Sequence, residues 1–120
     1  MKYEHNFYCT RDKLLDIEFL FLDIGQEIGW RAYVLTDINY KQFSPDRSSS
    51  YTDTHLYIDE TRRYIEEHKD YPYICWTKPI YNLDTMHELA KIWSEITAYY
   101  IRFGGKFEDI QHKLSAEGVI

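Results

Sequence analysis

The sequence predicts an α+β domain: a three- to four-stranded, mostly antiparallel sheet packed by an N-terminal helix and a long C-terminal helix followed by a short one. Three observations carry this. Apolar residues recur at helical spacing near both ends of the chain, the middle alternates with period two, and the loop-forming segment 41–53 is unsuited to a helical crossover between parallel strands. At 120 residues the chain reads as one domain over 1–120, long enough to bury a core without a disulfide net or a structural metal.

Over residues 10–28, Leu14, Ile17, Phe21, Ile24 and Ile28 recur at spacings of three and four, with Asp16, Asp23 and Glu27 on another face. That pattern predicts an amphipathic helix stopped at Gly25 or Gly29. The alternation Ile17, Phe19, Phe21 argues for a strand instead, but the length and leucine content of the run favour the helix. Residues 30–40 set Trp30, Ala32, Val34, Thr36, Ile38 and Tyr40 on one face and Arg31, Tyr33, Leu35, Asp37 and Asn39 on the other, a half-buried strand. Residues 41–53, KQFSPDRSSSYTD, make a loop of a length that is usually either functional or disordered.

A short strand is expected over 54–58, with Leu56 and Ile58 on one face and His55 and Tyr57 on the other. Residues 59–69 fit either a short helix or a continued hairpin. Residues 71–80, YPYICWTKPI, are β-branched and aromatic and bounded by Pro72 and Pro79, which suits a strand with its prolines at the ends or on an edge. The long helix runs over 85–103, opened by a Thr85/Glu88 capping box and closed by Gly104-Gly105, with Leu89, Trp93, Ile96, Tyr100 and Phe103 as its apolar stripe. Phe107, Ile110 and Leu114 mark a short final helix before the tail 116–120.

Twelve tyrosines, six phenylalanines and three tryptophans make 18% of the chain aromatic, while the mean hydropathy is −0.56. Much of the apolar area therefore sits on side chains with polar tips. A net charge of −6 argues against general nucleic-acid binding. Cys9 and Cys75 stand far apart without metal-type spacing and read as reduced thiols. No apolar run has the length of a membrane span, and residues 1–10 lack the pattern of a secretion signal, so a cytoplasmic protein is expected.

Phosphate binding by a P-loop is excluded, because GxxxxGK[ST] is missing and Gly104-Gly105 closes a helix. What remains is a set of arginines, Arg31, Arg47, Arg62, Arg63 and Arg102, interleaved with Tyr33, Tyr51, Tyr57, Tyr64 and Trp76. Arginine forks onto phosphate while an aromatic ring stacks on a base, so this mixture suits a small nucleotide-type ligand. Tyrosine, tryptophan and arginine also dominate protein interfaces, which makes a host protein or a second copy of the chain the other candidate partner. The expected ligand-binding residues are Arg47, Tyr51, His55, Tyr57, Arg62, Arg63 and Trp76, in a non-enzymatic, self-associating binding protein without cofactor or metal.

Catalytic constellations are weaker. Cys75, His87 and Asp84 contain the residue types of a nucleophile, a base and its orienter, but Cys75 lies in an apolar strand and Asp84 suits a helix start. His5 and Cys9 share one metal only if the N-terminus is helical. The alternative function is an enzyme acting on a phosphoester or glycosidic bond, with His55 as base beside Asp53 or Asp59; a purely structural interaction domain is the third. In general character, small, acidic and tyrosine-rich, the chain resembles accessory proteins of phages and mobile elements, including anti-defence proteins.

Overall fold

A computed structural model of the chain describes residues 3–25, 27–58, 71–76 and 78–120. The fold is α+β, with strands β1 (Tyr3–Cys9), β2 (Asp16–Asp23), β3 (Trp30–Val34), β4 (Leu56–Ile58) and β5 (Pro72–Ile74), then helices α1 (Leu83–Phe103) and α2 (Phe107–Ala116). All five strands join one antiparallel sheet in the order β1-β2-β3-β5-β4. The count exceeds the three or four strands expected, and the extra ones lie at the N-terminus.

There the structure overturns the expected N-terminal helix: residues 10–28 contain the interior strand β2. Ile17, Phe19 and Phe21 face the helices, and Leu20 and Leu22 are buried on the opposite face with Tyr33. A strand covered on both sides reads as a continuous apolar run, and any such run contains spacings of three and four by coincidence. The turn from β1 into β2 is closed by Thr10, whose N–H donates to the Leu15 carbonyl at 2.8 Å and whose hydroxyl donates to Asp12 at 2.8 Å.

Other boundaries shift for local reasons. β3 stops at Val34, and Thr36 turns its hydroxyl to accept the Glu18 N–H at 2.8 Å instead of extending the ladder. β5 keeps only three residues of the expected 71–80 strand. α1 starts two residues before the expected Thr85, because Asn82 is the cap: its side-chain carbonyl accepts the Thr85 N–H at 3.2 Å. Gly104 closes α1 as expected, at φ 76° with its N–H on the Tyr100 carbonyl. The buried stripe of α1 is rotated from the expected one. Met86, Ala90, Trp93, Ile96, Tyr100 and Ile101 face the sheet and α2, while Phe103 is 66% exposed.

Two long-range contacts tie the layers together. The Glu95 carboxylate, buried on α1, accepts the Tyr8 hydroxyl at 2.5 Å and the Arg11 N–H at 3.1 Å, so it holds β1 and the turn after it. Burial, the bond to Glu95 and that carboxylate's charge push the Tyr8 phenol up to about 12. At the other end Trp93 donates its indole N–H to the Thr54 carbonyl at 2.9 Å, anchoring the chain just before β4.

The loop 41–53 contains turns without helix or strand and is fastened to the end of α1. Arg47 donates from Nε to the Tyr100 carbonyl at 2.9 Å and from Nη2 to the Arg102 carbonyl at 3.2 Å, and the Tyr100 hydroxyl donates to the Ser48 carbonyl at 2.8 Å. A cation on the last carbonyls of a helix satisfies orphan acceptors and complements the helix dipole. Arg47→Ala is expected to lower the unfolding free energy by about 1–2 kcal/mol in urea titrations, since half-buried charged hydrogen bonds are removed. An unchanged midpoint and slope would show that water replaces the guanidinium at no cost.

Candidate functional site

The expected site residues divide between two clefts. Tyr57 and Trp76 line one of about 230 Å³ beside the β3–β5 seam, with Arg31, Trp30, Tyr73 and Lys78. Arg47 and His55 line the other, of about 490 Å³, between the 41–55 segment and the α1–α2 turn, with Asp53, Lys106, Phe107 and Glu108. Tyr51 lines neither: it lies exposed on the loop, and its carbonyl accepts the Leu56 N–H at 2.9 Å. Arg62 and Arg63, with Asp59 and the 59–69 segment whose helix-or-hairpin form the sequence left open, lie outside the described residues.

The first cleft is built by strand register. Tyr57 of β4 stands opposite Tyr73 of β5, which stands opposite Tyr33 of β3, so three tyrosines run across the sheet on the face away from the helices. Their ring centroids are 5.8 and 5.5 Å apart. Arg31, two residues from Tyr33 and therefore on the same face, lays its guanidinium 4.1 Å from the centre of the Tyr73 ring and donates to the Tyr33 hydroxyl at 3.3 Å. Trp76 follows β5 and is 48% exposed; Tyr57 is 49% exposed. A hydrogen bond with Cys75 raises the Tyr57 phenol above its ordinary value, so it stays a neutral ring at physiological pH. Arg31 and Tyr73 lie outside the site residues expected from sequence. Period two placed Arg31 beside Tyr33, but the pairing with Tyr73 is set by non-local register.

The second cleft is polar and of mixed charge, and most of its groups already hold partners. Arg47 is spent on the carbonyls of α1. The imidazole of His55 lies 3.1 Å from Glu108 Oε1 and 5.0 Å, ring centre to ring centre, from Phe107. His55 itself sits at φ 54°, in the left-handed region, with its carbonyl accepting the Cys75 N–H at 3.0 Å. Asp53 accepts the Ser50 hydroxyl at 2.9 Å, and bonds from Ser48 and Ser50 lower its carboxyl. The Glu108 carboxyl is lowered by its own N–H and by His55. Lys106, missed in the sequence reading, stands at the N-cap of α2 directly after the double glycine, a position that could have flagged it.

The remaining constellations come apart. His87 Nε2 lies 2.7 Å from Glu4 Oε1 with its ring edge-on to Phe21, while Cys75 follows β5 and bonds toward His55 and Tyr57. His5 and Cys9 lie on a strand, not on a helix; four residues apart, they are separated by about 13 Å, too far to share a metal. Among the described residues no group of three or more His, Cys, Asp or Glu is placed to hold a metal ion, and no helix is long and apolar enough to cross a membrane. No protein-family model, curated protein or solved structure matches this chain.

Proposed function

We propose that this chain is a binding protein that works without catalysis and receives a small nucleotide-type ligand, an aromatic ring joined to an anionic group, in the cleft beside the β3–β5 seam. The observation that carries this reading is the convergence of two half-exposed aromatic side chains, Tyr57 and Trp76, with two cations, Arg31 and Lys78, on one concave surface. Aromatic faces stack on bases of any sequence, and cations beside them meet the phosphate. At about 230 Å³ the cleft is smaller than the roughly 300–1,000 Å³ of pockets that enclose a whole ligand. It suits the ring, with the anionic group left at the mouth.

Binding is favoured over acid–base catalysis because the expected pairing of His55 with Asp53 is not formed: the imidazole lies against Glu108 and Phe107, and Asp53 accepts from Ser50. The larger cleft is the weaker candidate for an anion, since three carboxylates, those of Asp46, Asp53 and Glu108, line it against one, that of Glu27, in the aromatic cleft. Isothermal titration against mononucleotides, cyclic nucleotides and ADP-ribose tests the reading. Saturable binding is expected for at least one, and Trp76→Ala should weaken it by about 5- to 150-fold, the equivalent of about 1–3 kcal/mol of stacking. Lys78→Ala should weaken anionic ligands more than the corresponding nucleosides. Failure of every nucleotide to bind, or an affinity indifferent to Trp76→Ala, would remove this reading.

A further inference from the structure

The outer strands of a sheet present unpaired backbone groups, and folded proteins protect them with short strands, lysine, proline or bulges. The two edges of this sheet differ. β4 is three residues long. β1 is seven residues long, its register with β2 is unbroken from Tyr3↔Leu22 to Cys9↔Asp16, and its sequence YEHNFYC contains neither lysine nor proline. Among the described residues β2 is its only ladder partner.

The direction of the open edge can be read from one bond. The Phe7 N–H donates at 2.9 Å to the side-chain carbonyl of Asn6 and so points away from β2. Alternate residues of a strand aim their backbone groups at opposite edges, so those of Tyr3, His5, Phe7 and Cys9 are directed away from β2. The side chains of Tyr3 and Phe7, on the face away from the helices, are 67% and 62% exposed.

We propose that this edge is a self-association surface: two copies of the chain pair their β1 strands antiparallel about a two-fold axis at Asn6, making one continuous sheet. The strand is complementary to itself in that register. Asn6 meets Asn6, His5 meets Phe7, Glu4 meets Tyr8 and Tyr3 meets Cys9, so all seven residues are used and no like charges stand opposite each other. Aromatic pairs across neighbouring strands are favourable, and a closed two-fold pairing ends the growth of the sheet. Charge points to the same surface. The chain carries a net −6, yet β1 contains a single acid, Glu4, whose carboxylate is held 2.7 Å from His87. Two acidic copies can approach along this strand with little repulsion. The Asn6 side chain occupies the place of a partner carbonyl until pairing displaces it.

The register makes the proposal testable by disulfide trapping. Asn6 is a non-hydrogen-bonded position at the axis, where side chains approach most closely. With Cys9→Ser and Cys75→Ser as background, Asn6→Cys should give a cross-linked dimer as the main species on a non-reducing gel under mild oxidation. Glu4→Cys, which would face Tyr8 of the other copy, should run uncross-linked on the same gel. In parallel, light scattering of the unaltered protein at micromolar concentration should report a dimer, and Phe7→Lys should convert it to a monomer with the same circular dichroism spectrum. A monomeric parent protein overturns the proposal. So does cross-linking of Glu4→Cys as readily as Asn6→Cys, or a dimer that survives Phe7→Lys.

Discussion

Trp93→Ala is expected to lower the unfolding free energy by about 3–5 kcal/mol. Trp93 is buried in the middle of α1, packs edge-on against Phe19 of β2 at 6.3 Å, and donates its indole N–H to the Thr54 carbonyl. Truncation leaves a cavity between α1 and the sheet. It also strands a buried carbonyl at the point where the loop enters β4, and Thr54 is itself fully buried with its hydroxyl on the Ser50 carbonyl. Trp93→Phe separates the two contributions. It fills most of the volume but makes no bond to Thr54, so about 1–2 kcal/mol should be lost. Equilibrium unfolding in urea measures both. Equal losses for the two variants would mean that the hydrogen bond, and not the volume, dominates.

Gly29→Ala should cost about 2–4 kcal/mol for a different reason. Gly29 stands at φ 75° and forms an isolated bridge to Ile80, whose carbonyl also accepts the Trp30 N–H at 2.7 Å. A Cβ at this position would lie 2.4 Å from the Ile80 carbonyl oxygen, and that neighbour is backbone, which cannot turn aside as a side chain does. Gly25→Ala supplies the comparison. Its φ is 125°, also unfavourable for a side chain, but nothing lies within 4 Å of the added carbon. The excess loss at Gly29 over Gly25 in thermal unfolding isolates the steric clash. If the two melt alike, the close approach of β3 to the segment before α1 contributes little.

How much of this was legible in the sequence depends on whether a residue's partner is local. α1, α2 and the Gly104 stop follow from periodicity and glycine placement within a single segment, and β4 follows from its alternation. β2 did not, because Leu20 and Leu22 are buried on the face opposite Ile17, Phe19 and Phe21, which erases the alternation that marks a strand. The cap at Asn82 was masked by a second plausible pair, Thr85 with Glu88, three residues on. In the aromatic cleft, Tyr57 and Trp76 were visible as aromatics interleaved with arginines. Arg31 over Tyr73 was not, because it depends on which strands become neighbours. Arg47 was expected to meet a ligand. Its contacts are backbone carbonyls more than fifty residues away, which have no signature in sequence.

The order β1-β2-β3-β5-β4 also divides the sheet by how readily its parts assemble. β1, β2 and β3 form a meander whose contacts are close in sequence, and β4 with β5 forms a second unit. Among the described residues the ladder between them has one register pair, Tyr33 with Tyr73, beside the Gly29–Ile80 bridge, and it closes a long stretch of chain; such contacts form slowly and open early. The aromatic cleft takes its walls from both sides of that join, Trp30 and Arg31 from one and Tyr73 and Trp76 from the other. A ligand of the kind proposed above would act there as a clasp, so that its binding and the cohesion of the sheet would draw on the same free energy.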